Sequence, residues 1–239
     1  PGNTPNAWRR QFFGDLGHGM QIVNLFEFRP VQLAFTENHV NLPAMYHSVR
    51  QALYELGQFE DIIQTGRVRP GLAALWFSET ADIWDDNAGA FAAGKRALYI
   101  AVRHQQLPLD IITDTAAQQQ RLAPYEVLYL TDRHVSRAGS EAITAWVEAG
   151  GQLFATAGAG MFDEFNQPND ILPAVLGTQY EALESDDGPP IRLIKQDLPY
   201  AEPLDAVVWE MPKRTLELPI FAVRQRLIPM QAQVQGRYE

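Results

Sequence analysis

The chain has 239 residues, 46% hydrophobic and 20% charged, enough for one or two globular domains. Its net charge of −10, from 29 acidic against 19 basic residues, argues against nucleic acid as a partner, because affinity for a phosphate backbone comes from clustered Lys and Arg. The lack of cysteine excludes disulfides, thiolate metal sites and a cysteine nucleophile, and no apolar run approaches the roughly 20 residues that cross a bilayer.

In chain order, Ala7 to Met20 carries Trp8, Phe12, Phe13 and Leu16 at helical spacing, and Gln21 to Phe28 (QIVNLFEF) reads as a strand. A loop, Arg29 to Pro43, follows with Glu37, Asn38 and His39. Ala44 to Gln64 reads as one long helix with Met45, Val49, Leu53, Leu56 and Ile63 on its apolar face and Gly66 past its end. Val68 to Gly71 (VRPG) is a turn and the expected domain boundary. The first residue is Pro1 rather than Met, so the expectation is a piece of a longer protein, and nothing fixes a compartment.

Beyond the boundary the pattern alternates. Leu72 to Phe77, Leu109 to Thr113, Glu126 to Thr131 and Gln152 to Ala157 are short apolar runs suited to strands buried on both faces. Between them lie an acidic loop (Ser78 to Asn87) and three helices. The first, Ala90 to Gln105, is so apolar through Ala97 to Val102 that it is expected to be largely buried; a short polar helix, Thr115 to Leu122, comes next. The third is Ala138 to Ala149, with Ile143, Trp146 and Val147 on one face, Ser136 to cap its start and Gly150-Gly151 to end it. The expected fold class is therefore α/β, an open doubly wound, flavodoxin-like and mostly parallel sheet with helices on both faces. After Asn166 the sequence suggests short strands at Ile191 to Lys195, Ala206 to Trp209, Ile220 to Ile228 and Ala232 to Gln235, as an antiparallel extension of that sheet.

In an open parallel sheet, ligands bind beyond the carboxyl ends of the strands. Loops 78–87, 132–136 and 158–166 should meet there, bringing Glu79, Asp82, Asp85, Asp86, Asp132, His134, Asp163 and Glu164 to one edge. Glu79, His134, Asp163 and Glu164 are the candidate ligand edge, as a cation or polyol site. The competing reading, favoured because no motif spacing supports a site, makes them helix caps and solvated charges. No metal site and no cofactor is assigned. Asp132, His134 and Ser136 lie too close in sequence for a triad, and Gly158-Ala159-Gly160 lacks the spacing of a phosphate loop.

The order helix, QIVNLFEFRP, loop with Glu37 and His39, long helix, VRPG and LAALWFSETADIW resembles the passage from the (β/α)8 barrel into the trimerisation domain of family 42 β-galactosidases. FAAGKRALYIAVRHQQLPLDIIT, YEVLYLTDRHVS and AITAWVEAGGQLFATAGAG are similar to that second domain, whose fold is of the class I glutamine amidotransferase type. The resemblance implies residues 1–67 as the end of a barrel and 68–239 as a trimerisation-type domain, truncated at its C-terminus. It implies a mainly non-catalytic role supporting oligomerisation, with a homo-oligomer, a trimer being one form, and carbohydrate as partners; charge and hydropathy give no nucleic acid or membrane as partner. Glu37 and His39 would bind sugar hydroxyls, though their spacing departs from the family's. An amidotransferase would carry cysteine after strand 126–131; Asp132-Arg133-His134 stand there, so no glutaminase activity is expected. The barrel's acid and nucleophile would lie on strands absent from this chain, so no catalytic residue is assigned. The alternatives are a stand-alone small-molecule or metal-binding domain and a hydrolase using the acidic edge.

Overall fold

The computed structural model describes residues 4–25, 43–84, 90–185, 205–212, 214–220, 223–234 and 236–238. The chain divides into two compact units, Pro1–Arg69 and Pro70–Glu239.

In the first unit, helix α1 (Pro5–Gly17) begins with Pro5 in its first turn, where the missing N–H costs nothing. The Thr4 hydroxyl accepts from the Ala7 amide at 3.2 Å and caps it. Helix α2 (Pro43–Gly57) packs on it through Met45, Ser48 and Ala52, with the Ser48 hydroxyl donating to the Pro5 carbonyl at 3.2 Å. An ion pair joins Arg9 to Glu55, and its hydrogen bond holds the Glu55 carboxyl below the ordinary carboxylate range. Trp8 stacks on Phe12 at 5.2 Å, with Phe13 at the edge of Phe12.

Two expectations are corrected here. The single helix over 44–64 is two, because the chain leaves the helix after Gly57 and re-enters as α3 (Glu60–Gln64); Leu53, placed on the buried face, is exposed. Residues 21–25 of the expected strand form no ladder, and Ile22 stands exposed. Residues 26–28 and the loop carrying Glu37 and His39 lie outside the described residues.

The second unit is built on four strands, β1 (Ala73–Phe77), β2 (Leu109–Thr113), β3 (Val127–Leu130) and β4 (Gln152–Ala155), all parallel and ordered β2-β1-β3-β4. This is the expected sheet, with its strands where the apolar runs put them. Helices α4 (Glu79–Trp84) and α5 (Ala90–His104) lie between β1 and β2. Helix α6 (Asp114–Gln118) joins β2 to β3, and α7 (Arg137–Glu148) joins β3 to β4. The path runs one way from β1 to β2 and the other way from β1 past β3 to β4, so right-handed crossovers put α5 on one face and α6 and α7 on the other.

The α7 face holds the core. Ala74, Trp76, Leu128, Leu130 and Ile143 are fully buried there, with Ile112 and Trp146. Ser136 caps α7 by accepting from the Gly139 amide at 2.9 Å, and Gly150 ends it at φ +108°. On the other face, α5 departs from expectation: among its described side chains only Lys95 is buried, and Ile100 and Ala101 are exposed.

Among the described residues, β4 is followed by α8 (Ile171–Val175) and the strands β5 (Thr178–Ser185), β6 (Asp205–Met211), β7 (Arg214–Ile220), β8 (Val223–Pro229) and β9 (Gly236–Tyr238). β5 pairs antiparallel with β8, and β6 pairs with β7 and β9. They are antiparallel as expected but form two separate sheets rather than extending the parallel one. Residues 232–234 are not a strand, the expected strand at 191–195 lies outside the described residues, and α8 and β5 had no signal strong enough to predict them.

Candidate functional site

Strand order reverses between β1 and β3, so the crevice that receives ligands in open α/β sheets lies beyond Phe77 and Leu130. Here a side chain of the protein fills it. Asp132, almost completely buried, accepts from the Ser78 amide at 2.7 Å through Oδ2 and from the Lys95 ammonium at 2.7 Å through Oδ1. Lys95 reaches Asp82 at 3.7 Å and lies 4.4 Å above the Phe77 ring centroid. Burial pushes the Asp132 carboxyl up to about 6 against the opposing pull of Lys95. Beside it, Ser136 donates to Asp114 Oδ1 at 2.5 Å. Asp114, likewise raised by burial, leaves Oδ2 without a hydrogen-bond partner. Helix α7 approaches so closely that a Cβ on Gly139 would meet Asp114 Oδ1 at 2.4 Å and Trp76 at 3.0 Å.

The glycine loop after β4 is similarly closed. Its amides from Gly158, Ala159 and Gly160 donate to Gln225 Oε1, the Thr156 carbonyl and the Asp132 carbonyl at 2.8, 3.1 and 2.8 Å. None is left to cradle a phosphate. Tyr180 on β5 donates to the Ala159 carbonyl at 2.8 Å, and burial lifts its phenol to about 12. Tyr180 and Gln225 thus pin the loop from the antiparallel sheet.

The described parts of the three loops expected at this edge do meet. His134 is buried between Trp84 and Phe162, whose rings stack on it with centroids at 5.9 and 5.4 Å. It donates from Nε2 to Asn166 Oδ1 at 2.9 Å. Trp84 Nε1 donates to the Glu164 carbonyl at 3.2 Å. Glu164 Oε2 accepts from the Arg137 amide at 2.8 Å, so this carboxylate sits at the start of α7, where the helix dipole favours it. Asp163 Oδ1 accepts from the Phe165 and Gln167 amides, both at 2.9 Å, and Oδ2 faces Arg137 at 3.4 Å. Burial alone would raise the Asp163 carboxyl, but the two amides and Arg137 outweigh it and hold it below its ordinary value. Glu79 lies in the first turn of α4.

Of the four edge candidates, then, His134 is turned to Asn166 while Asp163 and Glu164 are turned to Arg137 and backbone amides rather than to one another. Among the described residues no group of three His, Asp or Glu could hold a metal ion. Asp132, His134 and Ser136 each bind elsewhere, to Lys95, Asn166 and Asp114, and form no triad. Asp85 and Asp86 lie outside the described residues. Sequence reasoning missed Lys95 and Asp114. A lysine in an apolar helix and an aspartate just past a strand are the available signals, and neither says which partner folding brings.

No protein-family model matches this chain, and no curated protein matches it. Among solved structures, Gan42B, a GH42 β-galactosidase from G. stearothermophilus, matches as the parent enzyme and as a catalytic mutant. Each match has a TM-score of 0.65 and 20% identity, over 99% of this chain and 34% of that chain. The β-galactosidase from Bacillus circulans sp. alkalophilus matches with a TM-score of 0.59 and 16% identity, over 82% of this chain and 28% of that one. The chain spans about a third of the length of these solved structures, and what it shares with them is the fold.

Proposed function

We propose that this chain is a section of a glycoside hydrolase of the β-galactosidase type, comprising the end of a (β/α)8 barrel and a non-catalytic α/β domain that supports oligomerisation and one side of a carbohydrate site. The observation that carries the reading is a fold likeness running over 99% of this chain but only 34% of a GH42 β-galactosidase. The chemistry of the carboxyl edge agrees with a supporting role. Asp132, Asp114, Asp163 and Glu164 are engaged by Lys95, Ser136, Arg137 and backbone amides, which suits a scaffold better than a centre needing two carboxyl groups free to act on a glycosidic bond. Glu37 and His39 are the proposed contacts to sugar hydroxyls, and a homotrimer is the proposed assembly.

The test has two arms. The 239-residue chain alone should release no nitrophenol from an aryl β-galactoside and should sediment as an oligomer, whereas the product of the full reading frame should hydrolyse the galactoside. Turnover by the chain alone, or an inactive full-length product, would overturn the enzymatic part. A monomer at every concentration would overturn the oligomeric part.

A further inference from the structure

Lys95 is the buried side chain among those described on α5, and two acids face its ammonium. Asp132 Oδ1, from the loop after β3, lies 2.7 Å from Nζ, and Asp82 Oδ1, from α4, lies 3.7 Å from it. The two seats differ in their access to water: the Asp132 side chain is 2% exposed and the Asp82 side chain 28%. The Phe77 ring, with its centroid 4.4 Å from Nζ, adds an attraction for the cation that favours neither acid. Among the described residues no other charged group pairs with Lys95. Glu79, also on α4, bears on Asp114 instead, while Arg133 lies over Phe162 and His134 turns to Asn166.

We propose that Lys95 is a proton-operated switch, paired with Asp132 while that carboxyl is ionised and with Asp82 once it is protonated. Burial makes negative charge costly at the inner seat, so protonation begins there as the pH falls. The Asp132 carboxyl, raised to about 6, puts the change within reach of mildly acid surroundings. The neutral acid keeps its place, because its Oδ2 still accepts from the Ser78 amide at 2.7 Å. What it loses is its hold on the ammonium, and a buried cation without a counter-charge is unstable. A short swing of the side chain brings Nζ to Asp82, and the tie from α5 passes from the β3 loop to α4. Helix α4 ends at Trp84, which bonds the Glu164 carbonyl and stacks on His134, so the exchange reaches the loops of the carboxyl edge. The switch makes that edge respond to acidity, whatever the whole protein cleaves.

NMR of the 239-residue chain across mildly acid to neutral pH tests this, through the aspartate carboxyl carbons and the through-space cross-peaks of the Lys95 side chain. The Asp132 carboxyl signal should inflect near pH 6. Across that inflection, cross-peaks from the Lys95 terminal methylene to the Asp82 methylene should strengthen on the acid side, and those to the Asp132 methylene should fade. In Asp82→Asn, which lacks the outer seat, the Lys95 contacts to Asp132 should persist through the inflection. Asp132→Asn should keep Lys95 at Asp82 at every pH; if that variant does not fold, the wild type and Asp82→Asn decide the question. Cross-peaks that do not change across the Asp132 inflection, or the absence of any inflection near pH 6, would overturn the switch. Equal fading of the Asp132 contacts in Asp82→Asn would overturn it too, because Lys95 would then be leaving for water and not for Asp82.

Discussion

The two faces of the parallel sheet were built from equally apolar strands and have different fates. On the α7 side, Trp76, Leu128 and Leu130 are sealed under Ile143 and Trp146. On the α5 side Leu75 is buried, but Ile111 on one edge strand is 58% exposed and Phe154 on the other is 52% exposed. A strand that alternates side chains across a sheet reports that both faces could be buried; it does not report how many helices arrive to cover each. One helix cannot span four strands at about 4.8 Å spacing.

The largest test of this contrast is truncation on each side. Leu128→Ala should cost about 2–5 kcal/mol of unfolding free energy, since it opens a cavity in a closed core. Ile111→Ala should cost roughly 0.5 kcal/mol or less if the α5 side is open in solution. Chemical denaturation of both variants measures this. A cost at Ile111 as large as at Leu128, shrinking on dilution, would show instead that another copy covers that face.

The pair beneath α5 comes next. Lys95→Met or Asp132→Asn alone should destabilise by about 3–5 kcal/mol, because each strands a buried polar partner, whereas the double variant should recover a good part of the loss. A loss in the double variant equal to the sum of the two single losses would deny the coupling. The same pair sets a pH dependence. With its carboxyl raised from 3.8 to about 6, folded Asp132 keeps a proton that the unfolded chain has released. Its stabilising contribution is complete below pH 3.8 and is lost as pH rises through about 6, on the order of 3 kcal/mol in all. Urea midpoints of the wild type between these pH values should fall relative to the double variant, and parallel curves would refute the assignment.

The smallest effect belongs to the cap. Ser136→Ala removes the hydroxyl that accepts from Gly139 and donates to Asp114, and should cost about 1 kcal/mol. A loss of 3 kcal/mol or more would make the Asp114 contact, rather than the cap, the main role of Ser136.

How much of this was legible depended on distance along the chain. The four parallel strands and the limits of α7 were readable because each signal is local: an apolar run, Ser136 before the helix, Gly150 after it. The break at Gly57 was local too, but the apolar residues on either side masked it. The edge chemistry was not readable. Asp132 finds Ser78 across 54 residues and Gln225 finds Gly158 across 67, and only the assembled sheet decides those pairings. Topology places the loops of Asp132, Asp163 and Glu164 at one edge, yet nothing in their spacing tells that amides, Arg137 and Lys95 occupy these carboxylates.

The carboxylate of Asp132 also makes the crevice between β1 and β3 a receptor already loaded with a tethered acid. Cutting that tether should leave a receptor for a free one: in Asp132→Gly the Lys95 ammonium and the Ser78 amide remain as donors to a small carboxylate. Formate or acetate should then raise the melting temperature of the variant and leave the wild type unmoved, since a ligand that binds only the folded state stabilises it. If the variant responds no more than the wild type, the seat collapses when emptied, and Asp132 is a brace for the strands and not a stand-in for a guest.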